Sequence, residues 1–487
     1  MDREQQYRKV LILGDHPIAQ EINKYYYTLQ YEVVYLKDFV ENDFNIIEFD
    51  ELFLLVKAGR DSEALAMLYK LIGSNNNYLR KGARLLCHLL LQERDSFRMI
   101  QACDFSDMIR EKIDVYPFTL YEVWSHSIVL DYEPITIHSN KHAHLVIFGM
   151  GEVAEMVAIQ AAQVAHYPNY VRDHSLRTRI TLISENAETQ SEEFIKRYRH
   201  LFDNSYYRIV KPSEEDAIRV FHKPMYEGKR EDFVDVEWEF VDAESWHPDV
   251  REKLKQWAQD DKQLLTVVMA GSDENKNVAM SLFLPDELYQ QSIPIHKYSP
   301  SAVEYDVAMP LVQMAKNVNY IYDRCYNDNF ENWQGQVQSS VEIDTKERDK
   351  LWADLSNVKR WSSIYNAMTI PSKMRSIGLN EDDWDKFYDI SLQDIEILAQ
   401  VEHNRWNVEE LILGYRPCTD EEQDKIAADV ETQKDAFKAR KIHYDLRAYN
   451  DLRPDKTGRS AKIYDLCLSA ALPLIAKTFV DEKGGGA

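Results

Sequence analysis

Two stretches carry residue types whose spacing suits ligand chemistry. The first is Gly149-Met150-Gly151-Glu152-Val153-Ala154, placed between the apolar run His144 to Phe148 and an apolar-faced helical stretch to Val164. Strand, Gly-x-Gly-x-x-Ala, helix is the context in which a loop cradles a pyrophosphate. Gly149 permits the tight turn, Gly151 lets backbone N–H groups approach phosphate oxygens, and Ala154 lets helix and strand pack closely. The helix N-terminus adds partial positive charge. The next strand, Arg177 to Ser184, ends at Glu185, whose carboxylate suits the two hydroxyls of a ribose. Glu185 lies farther from the glycines than the usual ~20 residues, which the polar insertion Tyr167 to Leu176 accounts for. Ala270 and Gly271 end a later strand and offer a backbone without bulk beside an adenine or ribose. Ser272 and Asn275 follow, either as hydrogen-bond donors to that ligand or as helix caps. The second stretch is Glu402-His403-Asn404-Arg405-Trp406. Arginine forks a phosphate and tryptophan stacks on a base, with His403, His443 and Tyr449 completing a polar, aromatic pocket. A structural ion pair between Glu402 and Arg405 is the competing reading.

These residues need a scaffold. Arg8 to Gly14 is a short apolar run ending in glycine, as in a buried parallel strand. Pro17 suits the first turn of the helix that follows, through about Tyr27. Strands at Glu32 to Leu36 and Glu51 to Val56, a helix at Arg60 to Ile72 and a buried segment at Ala83 to Leu91 continue an α/β alternation. A dinucleotide at the first turn would place Asp38 on a ribose. However, His16 replaces the second glycine and Asp15 puts negative charge where a pyrophosphate would sit, so this lobe reads as eroded and structural. Ile113 to Phe118 breaks the pattern. Thr119 then caps a helix to Leu130, with Glu122 at the capping-box position. In the second lobe, strands are expected at His144 to Phe148, Arg177 to Ser184, Asp235 to Asp242, Leu264 to Gly271 and Ile293 to Tyr298.

The expected fold class is α/β: two Rossmann-like doubly wound parallel-sheet lobes at 1–135 and 136–326, then a linker and helical segment at 327–390. A mainly α-helical domain at 391–480 and a flexible tail at 481–487 follow. The linker falls at Asn327 to Thr345, and the acidic stretch Asn380 to Asp385 reads as a helix start. Asp394 to Gly414 reads as one long helix, Thr419 to Lys438 as a charged, exposed helix, and Ser460 to Phe479 as a closing helix.

Ala143 to Ser299, with its glycine turn and its Ala-Gly-Ser-Asp strand end, resembles the TrkA-type (regulator of potassium conductance) nucleotide-binding domain. Glu402 to Trp406, Gly414-Tyr415, Lys441 to Leu446, Tyr449 to Leu452 and the closing helix resemble the ryanodine-receptor repeat (RyR) domain. Ser356-Asn357, Ala367 and Lys373 to Leu379 resemble the segment preceding such domains in bacterial proteins, where they occur beside TrkA-type domains. The resemblance implies a regulatory sensor binding NAD or another adenine nucleotide at the second lobe. It implies a second ligand or a partner at the RyR-like domain, and a homodimer. A membrane transporter or an effector protein would receive the signal, in potassium-transport regulation or a nucleotide-triggered stress or antiviral response.

Composition narrows the classes. The net charge of −24 disfavours nucleic acid and anionic membrane, both polyanions. No apolar run approaches the ~20 residues that cross a bilayer, and the first residues lack a signal-peptide core, so a cytoplasmic location is expected. Five scattered cysteines without Cys-x-x-Cys spacing point to reduced thiols. No His-Glu-x-x-His, P-loop or Gly-x-Ser-x-Gly is present, and no metal is expected. An NAD(P)-dependent oxidoreductase is the alternative reading. It needs an acid/base beside the nicotinamide, and the one candidate, His296, reads as a strand-end histidine. A scaffold with empty lobes is the remaining alternative.

Overall fold

The apolar runs that end in glycine do become buried parallel strands. The computed structural model describes residues 8–37, 48–57, 59–73, 84–102, 113–129, 134–212, 217–224, 232–299, 308–327, 343–380, 390–428, 430–453 and 460–476. Asp38, most of the linker, the acidic stretch after Asn380 and the C-terminal tail lie outside them.

The first lobe is a five-stranded, wholly parallel sheet in the order β2-β1-β3-β4-β5. Its strands are β1 (Lys9–Leu13), β2 (Glu32–Leu36), β3 (Glu51–Leu54), β4 (Leu85–Leu90) and β5 (Ile113–Phe118). Helices Ile18–Thr28, Asp61–Gly73 and Arg94–Ala102 connect them. Both faces of a parallel sheet are covered, and β3 is accordingly buried at every residue. The segment expected to break the pattern is the fifth strand. Pro117 pairs with Leu89 in it, and a residue without an N–H is tolerated because β5 is the sheet's edge.

Thr119 caps the helix Leu120–Val129 as expected, its hydroxyl accepting from Glu122 N at 2.9 Å. Glu122 itself is buried. Burial pushes its carboxyl up to about 8 against the opposing hydrogen bond from the Thr119 backbone, so it is largely protonated at neutral pH. The unfolded chain releases this proton near pH ~4.3. Glu122 therefore subtracts stability as pH rises from there to about 8. Glu122→Gln should match the parent at pH 4 and exceed it by roughly 1–4 kcal/mol at pH 8. Unfolding midpoints that stay parallel across that range would refute this.

The second lobe is a seven-stranded sheet in the order β12-β11-β6-β7-β10-β8-β9. Its strands are β6 (His142–Phe148), β7 (Thr178–Ser184), β8 (Tyr206–Lys211), β9 (Ala217–His222), β10 (Val236–Asp242), β11 (Gln263–Met269) and β12 (Ile295–Lys297). All pairs are parallel except β8 with β9. The β8–β9 hairpin was not anticipated. It joins the sheet partly through Arg208, whose Nε lies 3.0 Å from Glu239 on β10. From β6 the chain moves to β7 on one side, and it later returns to β11 on the other. The crevice at the C-terminal ends of β6 and β11 is therefore the topological switch point, where such sheets hold ligands.

The C-terminal part is mainly helical, with helices Ala308–Asn327, Thr345–Asp354, Asn357–Ser376, Leu392–Ile412 and Lys462–Ala470. The first of these, assigned to the second lobe by the sequence division, packs on the next two and on the last. Thr419 to Lys438 is helical over Asp420–Ala428 and Val430–Ala439, as expected, but it is not wholly exposed. Ile426 and Phe437 are buried against Cys418 and Ile442 in a small core of their own.

One element joins the parts. The helix Glu152–Val164, which follows the glycine turn, is buried at every residue from Val153 onward. It packs against the helices Leu120–Val129, Asn357–Ser376 and Leu392–Ile412. A single apolar core runs from Val10 in the first sheet to Ala476 near the C-terminus. The outer face of the second sheet has its own cluster around Val146, Val241 and Leu288. Among the described residues no helix is long and apolar enough to cross a membrane, and no group of three or more His, Cys, Asp or Glu is placed to hold a metal.

Candidate functional site

The glycine turn lies at the switch point. Gly149 sits at φ +113°, and a Cβ there would stand 3.6 Å from Ala270 O and 3.8 Å from the Ala154 Cβ. Its N–H is held by Ile183 O at 2.9 Å. Beyond it, no N–H from Met150 to Ala154 has a hydrogen-bond acceptor among the described residues; the first helical bond is Glu155 N to Gly151 O. A Cβ on Gly151 would meet nothing within 4 Å, so among the described residues the space beside this glycine is open. Met150 packs partly on the core, while Val153 and Ala154 are buried and fix the helix on the sheet. A row of unpaired amides at a helix N-terminus is an anion cradle.

Around the cradle the anticipated residues divide. Glu185 is exposed at the tip of β7, beside β6, with its carboxylate unpaired among the described residues. Glu152 turns toward the first lobe: its Oε1 accepts from Arg94 N at 2.6 Å and caps the helix Arg94–Ala102. Ala270 continues β11 by donating to Phe148 O at 3.1 Å. The backbone of Gly271 is already in use, because Asn277 Oδ1 accepts from its N–H at 2.9 Å and Asn277 Nδ2 donates to its carbonyl at 2.8 Å. Asn277 also donates to Tyr298 O at 3.0 Å, tying β11 to the segment after β12. Ser272 is exposed. Asn275 donates its N–H to Asp273, and Asp273, not Ser272 or Asn275, caps the helix Glu274–Ser281. Asn277 sits at the start of the helix Glu274–Ser281, and nothing in the spacing of this polar stretch singles it out. His296 lies on β12, separated from β6 by β11.

The corresponding turn of the first lobe is closed by its own chain. Gly14, at φ +124°, lies so near Leu55 that a Cβ would stand 2.0 Å from Leu55 O. His16 Nδ1 accepts from Ile18 N at 3.2 Å, and the Asp15 carboxylate pairs with Lys57 and Arg60 at 3.2 and 3.1 Å. The helix N-terminus that would meet a phosphate is capped by a histidine.

In the C-terminal part, His403, Trp406, His443 and Tyr449 come together. Ring centroids are 5.6 Å apart for His403 and Trp406, 5.8 Å for His403 and Tyr449, and 4.8 Å for Trp406 and His443. His403 Nε2 donates to Arg447 O at 3.0 Å, and its Nδ1 lies 3.2 Å from Asp465 Oδ2. Burial holds His443 well below the usual imidazole range, hence neutral, and its Nδ1 accepts from Asp445 N. Arg405 is not among these rings. Its Nε and Nη2 donate to Glu402 at 2.9 and 2.8 Å and its Nη1 to Glu409 at 2.6 Å, and Lys373 Nζ reaches Glu402 at 2.6 Å. The whole cluster is buried. Burial opposes ionisation of Glu402, but Arg405 and Lys373 outweigh it and hold the carboxyl down at about 2. The guanidinium expected to face a phosphate is thus engaged on all three nitrogens by carboxylates, and a ligand would have to displace them.

No family model matches the sequence, and no curated protein matches it. Among solved structures, the crystal structure of a dipicolinate synthase subunit from Bacillus halodurans covers 63% of this chain and 97% of its own, at 9% identity and a TM-score of 0.19. Agreement that low carries no argument. The Rossmann-like character stands on the sheets themselves: β10-β7-β6-β11-β12 follows the 3-2-1-4-5 order, while the first lobe has the other common doubly wound order, 2-1-3-4-5.

Proposed function

We propose that this protein is a nucleotide-sensing regulatory protein, with NAD or another adenine nucleotide held at the glycine turn of the second lobe. The observation that carries this is the row of amides from Met150 to Ala154 at the switch point, which have no acceptor among the described residues, with nothing within 4 Å of a Cβ placed on Gly151. Glu185 stands at the next strand tip, where its carboxylate can take a ribose diol. The TrkA-type resemblance of Ala143 to Ser299 supports the same ligand class. The RyR-type resemblance and the converging rings of His403, Trp406, His443 and Tyr449 support a second ligand or partner at the C-terminal part. The shared helix Glu152–Val164 is the element through which occupancy of one site would bias the other.

Thermal unfolding against NAD, NADH, NADP, ATP, ADP, AMP, ADP-ribose and cyclic nucleotides tests this. A ligand at ~100 times its dissociation constant stabilises by about 2.7 kcal/mol. Gly151→Asp fills the open space with a carboxylate and should abolish the shift. A folded Gly151→Asp variant that still shifts would sink the site. A shift lost instead on Trp406→Ala would move the input to the C-terminal rings, and no shift with any compound would favour an empty scaffold.

A further inference from the structure

Three guanidinium groups from two lobes surround one carboxylate beside the free amides. Arg94 Nη1 lies 2.7 Å from Glu155 Oε2, Arg197 Nη1 bonds to the same oxygen, and the Tyr198 hydroxyl donates to Glu155 Oε1 at 3.2 Å. Arg98 stacks over Tyr198, its Cζ 4.5 Å from the ring centroid, and makes no hydrogen bond or ion pair among the described residues. Burial and two neighbouring cations push Arg98 down to about 10, which still leaves it charged at neutral pH.

Glu155 is buried, 7% exposed, and balances only one of the three positive charges. Asp95 also pairs with Arg94, but its side chain is 86% exposed. Glu152 is exposed as well, so both of these charges are screened. An unpaired, partly desolvated guanidinium is costly unless something anionic completes it. Planar forks of this kind take phosphate oxygens in pairs. Glu155 lies in the first turn of its helix, and helical side chains lean toward the N-terminus. The cluster therefore stands next to the amides of Met150 to Ala154.

We propose that Arg94 and Arg98 of the first lobe, with Arg197 of the second, form a phosphate subsite for the nucleotide held at the glycine turn, and that Glu155 occupies this subsite as an internal carboxylate until phosphate displaces it. The proposal rests on the nucleotide reading above. Its ligand class is a nucleotide with a pyrophosphate or a terminal phosphate. Binding would move the arginines from Glu155 to the ligand and so draw the lobes onto a shared anion. Arg94 and Arg98 lie on the helix that also places Gln101 Nε2 2.8 Å from the Tyr365 hydroxyl, so the change reaches the C-terminal helices directly.

Isothermal titration of the full chain with inorganic pyrophosphate, ADP and NAD tests it, with adenosine as the phosphate-free comparison. Arg98→Ala should weaken the phosphate-bearing probes by about tenfold or more and leave adenosine unchanged. Arg98→Lys, which keeps the charge and loses the fork, should fall between. Glu155→Gln removes the internal competitor and should tighten pyrophosphate, a gain that misfolding cannot produce. Arg98→Ala binding like the parent while Gly151→Asp loses all binding would overturn the subsite and leave the nucleotide reading intact. Glu155→Gln that fails to tighten would overturn the displacement. Gly151→Asp without effect, with pyrophosphate still lost in Arg98→Ala, would overturn the glycine-turn site and keep the arginines as an anion site. No binding of any probe overturns both.

Discussion

Replacing Arg405 by alanine is expected to destabilise the protein by about 3–5 kcal/mol at neutral pH. The variant would leave Glu402 with Lys373 alone and Glu409 with Ser362 alone, all of them within a buried cluster. Each remaining carboxylate would then have to protonate or draw in water. The sign with pH follows from Glu402. Its folded value of about 2 lies below the unfolded one, so its contribution is complete above pH ~4.3 and fades as pH falls toward 2. The cost of Arg405→Ala should shrink over the same window. Urea unfolding at pH 7 and pH 3 measures both. A loss under ~1 kcal/mol together with a loss of nucleotide affinity would mean that Arg405 serves a ligand, and the structural account of the cluster would be wrong. Exchanging the whole cluster for apolar residues of similar volume is a different experiment and is often neutral.

Gly14→Ala should cost several kcal/mol, on the order of 3 or more. The new Cβ would overlap the Leu55 carbonyl, and the position lies at positive φ, where a side chain is already strained. Neighbouring hydrogen bonds block a small adjustment: Gly14 N is held by Leu36 O and His16 N by Leu55 O. The turn and β3 would have to separate, loosening the switch point of the first sheet. Hydrogen exchange of the amides from Val10 to Leu13 and from Leu52 to Leu55 should quicken, while the strands of the second sheet retain protection longer. A variant within ~1 kcal/mol of the parent would show that this approach is not tight. A neighbouring bond explains why the first lobe offers no cradle: the amide of His16, which stands at the second-glycine position, is already held by Leu55 O.

How much of this was legible in the sequence depends on how local each feature is. The glycine turn was legible because strand, glycines and helix follow one another within a short stretch, and their spacing carries the geometry. The erosion of the first lobe was legible for the same reason, in Asp15 and His16. β5 was hidden by Pro117, which argues against a strand until the edge position is known. The β8–β9 hairpin was hidden because its outer strand is exposed and lacks an apolar run. Arg405 presented two local readings, and burial decides where its fork points: Glu402 and Glu409 are one helical turn away on the same face. Asn277 and the Arg94, Arg98 and Arg197 group were not legible, since what gives them meaning lies on other elements. Glu155 is 61 residues from Arg94 and 42 from Arg197.

The burial of the helix Glu152–Val164 on every side bears on how this molecule can be cut. A helix that faced only its own sheet would leave with its lobe as a soluble piece. This one has apolar residues all around, shared with the first lobe and with the C-terminal helices. Excising 136–326 would bare a greasy flank along its length, and a fragment made that way would clump instead of reporting on the ligand. The smallest useful unit for biochemistry is the uncut polypeptide, with single side-chain changes as the scalpel.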